Sequence, residues 1–120
     1  MEYSLALVDK EDLKLLTRPR ERLLLSKVSK LLAEQGIKSY LVGGFVRDVL
    51  LRRDTVDIDI ALAADALEVA PRIATAFGGK YILLDEVNRV GRVILAIDGE
   101  TKGQWKLDFT TLEVNIGQDL

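Results

Sequence analysis

The amino-acid sequence predicts an α+β domain, a mixed sheet with helices on one side. Two observations carry this. Candidate elements run helix, strand, helix, strand, helix and then three strands in succession, so the alternation a regular doubly wound fold requires stops after Gly79. The chain has 120 residues, 48% of them hydrophobic, with no internal repeat, no low-complexity segment and no linker rich in proline, glycine or serine. That is enough to bury a majority of the unfolded surface in one domain, 1–120, and too little for two. The stretch 1–18 is expected to be peripheral.

The first strong helix begins near Pro19, whose fixed φ suits a first turn, and runs through "RERLLLSKVSKLLAEQ". Leu24, Val28, Leu31 and Leu32 share one face, and Gly36 is the terminator. Before it, "KEDLKLLT" reads as a shorter helical turn. "IKSYLVGG" is a short buried strand that enters a tight turn at Gly43 and Gly44, and "FVRDVLLRR" then has helical spacing with Val46, Val49 and Leu50 inward. "VDIDIALA" is the next strand. Asp65 is a candidate N-cap for a helix "ALEVAPRIATAF", which Pro71 should kink or split and Gly78-Gly79 should end. "KYILLD", "GRVILAI" and "QWKLDFTTLEV" are strand-like, the last two joined by a hairpin connection "DGETKG".

Composition narrows the chemistry. The chain contains no cysteine and no histidine, so disulfides, thiol nucleophiles, serine-histidine triads and histidine metal sites are all excluded. Catalysis must rest on carboxylates, lysine, arginine, tyrosine or a metal held by hard oxygen ligands, which means Mg²⁺, Mn²⁺ or Ca²⁺. A net charge of -2 and a pI near 5.2 argue against a broad basic surface for nucleic acid. Two local basic groups remain, Arg18, Arg20 and Arg22 with Lys27 and Lys30, and Arg47 with Arg52 and Arg53. Each suits a solvated helix face as well as a phosphate contact. No apolar run approaches the roughly 18 residues of a membrane span. The first residues carry acids where a signal peptide would be basic, so no membrane association and a cytoplasmic location are expected.

Asp57 and Asp59 are two residues apart in a strand and therefore point the same way, with Cα atoms about 6.5 to 7 Å apart. Val56, Ile58 and Ile60 point into the core. Two like charges so placed repel, and a divalent cation between them would offset the cost and offer a Lewis acid to a phosphate oxygen. An ordinary amphipathic strand with an acidic outer face produces the same pattern, and taken alone it is the better account of Asp-x-Asp. Gly43-Gly44 between a strand and a helix start leaves backbone N–H groups that, with the helix dipole, favour an anion such as a triphosphate. Taken alone, that pair is better read as a tight turn with close packing. Arg47, about one turn into the helix, can add a bidentate phosphate contact. Asp48 can cap, pair with Arg47 or Arg52, or orient the site. Asp108 alternates with Leu107 and Phe109 and is an outward carboxylate on a strand, either a third acid beside the first two or a solvent-facing residue. Tyr40, Tyr81 and Trp105 are read as packing residues rather than base-stacking platforms.

In combination these residues are more specific than any part. "GGFVRDVLL", followed ten residues after Arg47 by Asp57-Ile58-Asp59, resembles the signature of the poly(A) polymerase and tRNA nucleotidyltransferase (CCA-adding) family, within the polymerase-β-like nucleotidyltransferase superfamily. "FGGKYILLDEVNRVGRVIL" and "LDFTTLEVNIGQDL" are similar to later segments of that family's head domain, so the resemblance spans roughly Ala33 to Leu120. Arg52 departs from it, standing where the family usually has glycine after the paired leucines, whereas Arg53 matches the basic residue that follows. The segment similar to "IGQDL" leads, in the family, into an Arg-Arg-Asp-Phe motif, a nucleobase-selecting motif and helical RNA-holding domains, so these 120 residues resemble the N-terminal part of a longer enzyme's head or a stand-alone relic of one.

The resemblance implies a polymerase-β-like palm fold and metal-dependent addition of nucleotides to an RNA 3′ end. Asp57 and Asp59 would bind two Mg²⁺ ions, Asp108 would be the third acid, which the class holds less uniformly, and Gly43, Gly44, Arg47 and Asp48 would line the nucleotide site. The implied partners are a nucleoside triphosphate, ATP or CTP, and an RNA 3′ end of tRNA type held mainly by regions outside the matched segment. The 120 residues alone are expected to bind nucleotide weakly and to turn over poorly or not at all. CCA, CC, A and poly(A) addition all fit the matched motif. A non-catalytic nucleotide-binding or interaction module that keeps the fold is the alternative. A dinucleotide-binding domain fits less well, because the third glycine is missing and the strand order is wrong for it.

Overall fold

A computed structural model describes residues 3–4, 19–42, 57–96 and 104–112. They form two helices and a six-stranded sheet. The elements are β1 (Tyr3–Ser4), α1 (Pro19–Glu34), β2 (Ser39–Val42), β3 (Asp57–Leu62), α2 (Ala66–Phe77), β4 (Lys80–Asp85), β5 (Val90–Ala96) and β6 (Gln104–Thr111). The sheet order is β1-β2-β3-β6-β5-β4, with β3 and β6 parallel and every other pair antiparallel. This is the expected mixed sheet of an α+β domain.

Both helices begin and end where local chemistry predicts. Proline opens α1, and Gly36, with φ +70°, closes it. The Ile37 N–H returns to the Leu32 carbonyl at 2.9 Å and the Gly36 N–H to Ala33 at 3.0 Å, a Schellman ending that satisfies two orphan carbonyls. In α2, Asp65 Oδ1 accepts from the Leu67 N–H at 3.0 Å as the N-cap. Gly78, with φ +69°, repeats the Schellman ending, the Gly79 N–H reaching Ala74 at 2.8 Å. Leu25, Val28 and Leu32 are the fully buried residues of α1, with Leu24 and Leu31 packed beside them.

Pro71 does not split α2. The helix runs unbroken across it, because Ala66, Val69 and Ala70 before the proline and Ile73 and Ala74 after it bury one continuous face. A missing N–H removes one intrahelical bond, and burial on both sides outweighs that loss.

Burial alternates along β5, from Asp57 to Ile60 in β3 and from Gln104 to Phe109 in β6. Ile58, Ile60, Val93, Leu95, Trp105, Leu107 and Phe109 form one cluster with the inner faces of both helices. Both described helices therefore cover the same side of the sheet. Gly79 allows α2 to return closely onto β5, since a Cβ there would lie 2.3 Å from Leu95 Cδ2 and 2.5 Å from the Ile94 carbonyl oxygen. Among the described residues no helix is long and apolar enough to cross a membrane.

β1 was not legible in the sequence, since two residues carry no periodicity; it is an edge strand on β2, Tyr3 opposite Leu41. The helical turn expected over 10–17, the glycine turn at Gly43-Gly44, the helix expected over 45–53 and the connection 98–103 lie outside the described residues. The hairpin itself is present, with β5 and β6 paired antiparallel from Val90 opposite Thr110 to Ala96 opposite Gln104.

Candidate active site

The face of the sheet opposite the helices carries the acids. In β3, Asp57 is exposed and Asp59 half-buried, alternating with the buried Ile58 and Ile60. The strand pleat thus puts both carboxylates on one face, as the spacing predicts. Parallel pairing with β6 sets Asp59 directly beside Asp108 and Asp57 beside Lys106. Antiparallel pairing with β5 then sets Arg92 beside Asp108. A single row crosses the sheet, Val42, Asp59, Asp108, Arg92, from β2 to β5.

Arg92 grips Asp108 with a two-pronged ion pair, its Nε donating to Oδ1 at 2.6 Å and its Nη2 to Oδ2 at 3.0 Å. The pair is partly shielded, the side chains being 30% and 21% exposed. The Asp108 carboxylate raises the Arg92 pKa above its ordinary value, and Asp57 and Asp59 add to that field from further along the face. Arg92 is the site residue that sequence reasoning missed. The signal was available: a hairpin that pairs Ala96 with Gln104 also pairs Arg92 with Asp108, four steps down each strand.

β2 ends at Val42, in register with Asp59, and the chain continues from there into Gly43, Gly44, Arg47 and Asp48, which lie outside the described residues with Arg52 and Arg53. Lys27 and Lys30 are exposed on α1. Trp105 belongs to the core and Tyr81 packs against it, as expected of packing residues.

The donor set suits a hard divalent cation. Two carboxylates project from one strand face, and the chain has no softer thiolate or imidazole ligand to compete. Among the described residues no three acids converge as a ready metal cluster. Asp108 accounts for this in part, since both its oxygens are engaged by Arg92. Asp57 and Asp59 share this face with Asp108, which stands in register beside Asp59.

A second ion pair lies at the other end of these strands. Asp65 pairs with Arg89 through both carboxylate oxygens, Nε donating at 2.8 Å to Oδ1 and Nη2 donating to Oδ2. Thr111 Oγ1 accepts from the Ala66 N–H at 2.9 Å and donates to the Arg89 carbonyl at 3.1 Å. This cluster ties the start of α2 to the β4–β5 turn, where Arg89 has φ 55°, and to the end of β6. Its role is structural.

The model of the poly A polymerase head domain matches residues 39–119, from the start of β2 to beyond the end of β6. The chain belongs to this head-domain family. Its members among curated proteins include a CC-adding tRNA nucleotidyltransferase of Geobacter sulfurreducens, 36% identical over 74 residues, which cover 62% of this chain and 17% of that protein. A CCA-adding enzyme of Lactococcus lactis subsp. cremoris is 42% identical over 57 residues, covering 48% of this chain and 14% of that one. Among solved structures, the Thermotoga maritima CCA-adding enzyme complexed with tRNA superposes with a TM-score of 0.68 at 28% identity, over 92% of this chain and 24% of that one. The chain spans less than a fifth of the length of those two curated relatives. Its mixed sheet and helices are those of the α+β nucleotidyltransferase fold.

Proposed function

We propose that this chain is the catalytic head of a nucleotidyltransferase that transfers nucleotides from ATP or CTP to the 3′ end of tRNA. The observation that carries the proposal is the pair Asp57 and Asp59 on the open face of β3, beside the strand end that leads into Gly43-Gly44. Family membership and the names of the relatives support the same reaction class.

In this reading Asp57 and Asp59 would hold the two Mg²⁺ ions, which would supply Lewis-acid chemistry for phosphoryl-type transfer. The protein's own contribution is placement. Alternation in β3 fixes both carboxylates on one side, and the buried Ile58 and Ile60 keep the strand from slipping by one residue, which would turn the acids inward. In the same reading Gly43, Gly44, Arg47 and Asp48 would line the nucleotide site, with backbone N–H groups and a guanidinium suited to a triphosphate. Such positioning and charge neutralisation are most of what phosphoryl-type transfer needs from a protein.

The test is binding of a fluorescent ATP analogue with and without Mg²⁺, in the parent chain and in Asp57→Ala. Mg²⁺-dependent binding that is lost in Asp57→Ala is the expected result. Equal binding in both proteins would point to a nucleotide-binding module that does not use the carboxylates.

A further inference from the structure

β4 is the outer strand of the sheet beyond β5, and its composition is unusual for an edge. Among the described residues the large hydrophobic side chains left exposed are Leu23, Ile82, Leu83, Leu84 and Val87, so all but Leu23 fall on β4 and the turn that follows it. Ile82, Leu83, Leu84 and Val87 are each 40% or more exposed. They do not share a face. Ile82 stands opposite Arg92 on the open face, whereas Leu83 stands opposite the buried Gly91, whose missing Cβ would point at Ala70 of α2. An apolar patch that wraps both faces of one strand suits a further strand added at its edge, which covers both faces and takes up the outward backbone N–H and C=O groups. Natural edges resist such pairing with proline, short length or charges along the strand. β4 has six residues, no proline, and charges only at its two ends, Lys80 and Asp85.

We propose that β4 is a dimerisation edge, pairing antiparallel with β4 of a second copy about a two-fold axis at Ile82 and joining the two six-stranded sheets into one. The strand that matches this edge is its own copy, because of a bulge. β4 pairs with β5 as Lys80–Ile94, Tyr81–Val93, Ile82–Arg92, Leu83–Gly91 and Asp85–Val90, which leaves Leu84 out of the ladder. Lys80 and Asp85 therefore stand on the same face, at ladder positions symmetric about Ile82, whereas an unbulged strand would put them on opposite faces. Directly opposed residues of an antiparallel pair share a face. With Ile82 facing its twin, Tyr81 faces Leu83 and Lys80 faces Asp85 at both ends, so apolar meets apolar and opposite charges meet twice. Asp85 is held in place by the Asn88 backbone N–H at 2.9 Å and the Asn88 side-chain amide at 2.7 Å, and both of its oxygens keep a further lone pair for a lysine. Such an interface is isologous and closes at two copies, since pairing consumes the free edge of each. Asp57, Asp59 and Asp108 stand on β3 and β6, with β5 between them and this edge, so the pairing does not use them.

Sedimentation velocity of the full chain over a range of concentrations should show monomer and dimer in equilibrium. Lys80→Asp and Asp85→Lys each set like charges opposite one another at both ends of the pairing. Each should raise the dimer dissociation constant about tenfold or more, the order expected when two exposed attractive pairs become repulsive. An equimolar mixture of the two variants restores opposite charges in a heterodimer and should associate about as tightly as the parent, a rescue that loss of folding or of the Asn88 contacts would not produce. Because the chain has no cysteine, Ile82→Cys introduces a single thiol, which should crosslink to its twin under mild oxidation, while Leu23→Cys on α1 should not. Circular dichroism checks that each variant is folded. A mixture that associates no more tightly than its components, or a dimer of unaltered affinity in both variants, would place the association elsewhere and overturn the proposal. A chain that stays monomeric at its highest soluble concentration would overturn it as well and leave this edge to a strand of another protein.

Discussion

The two faces of the same strands do opposite work. On one side of β3 and β6, Ile58, Ile60, Leu107 and Phe109 are at most 1% exposed and packed under two helices. On the other side, alternating with them residue by residue, stand Asp57, Asp59 and Asp108. The apolar face fixes register, because a slip of one residue would bury the acids and expose the core. The acidic face inherits that precision without contributing to it. Stability and chemistry are therefore separable here, although the residues that carry them are neighbours in sequence.

The sharpest way to break that separation is paired substitution on one strand pair. Phe109→Ala removes the largest fully buried side chain and should cost about 3–5 kcal/mol, a large fraction of what a small domain possesses. Its partner on the other face, Asp59→Asn, should change stability by no more than about 0.5 kcal/mol, since relief of repulsion with Asp108 offsets lost solvation, while removing Mg²⁺-dependent nucleotide binding. Urea denaturation alongside nucleotide titration measures both. Comparable destabilisation by the two variants would mean the acidic face is part of the core after all.

Helix docking comes next in size. Gly79→Ala places a methyl group against Leu95 and the Ile94 backbone, and should cost about 1–3 kcal/mol in thermal or chemical unfolding without altering metal affinity. A smaller effect belongs to the Asp65 cap. Asp65→Ala loses the capping bond together with the exposed ion pair to Arg89 and should cost about 1–2 kcal/mol, again on the structural side of the comparison. The smallest is its pH dependence. The Arg89 guanidinium holds the Asp65 carboxyl below the usual carboxylate range. A depressed folded-state pKa gives stability that is present above the unfolded value, about 3.9 for aspartate, and fades as pH falls through the folded value. Denaturation midpoints below about pH 4 should therefore decline less steeply in Asp65→Asn than in the parent.

The helix limits, the strand periods and the outward set of Asp57, Asp59 and Asp108 were legible in the sequence because each depends on local rules. Pro19, Gly36, Asp65 and Gly78 act through their immediate neighbours, and alternation in "DIDI" and "WKLDF" needs only the pleat. The split that Pro71 could have caused did not occur for the converse reason, since the buried face that holds α2 together packs against the sheet. The parallel pairing of β3 with β6 was not legible, because two intervening strands and a helix separate them and no local signal announces the partner. Arg92 fell between these cases. Its outward direction follows from "VGRVIL", but its importance arises only once the hairpin register sets it against Asp108.

The claim at the centre is that Asp57 and Asp59 together hold the cation that meets the triphosphate. Pulsed electron paramagnetic resonance on Mn²⁺ bound to the chain with ATP reads this directly through coupling to phosphorus. The account predicts a phosphorus coupling in the parent that disappears, with the bound Mn²⁺, in Asp59→Asn. Mn²⁺ and its phosphorus coupling persisting unchanged in Asp59→Asn would contradict it.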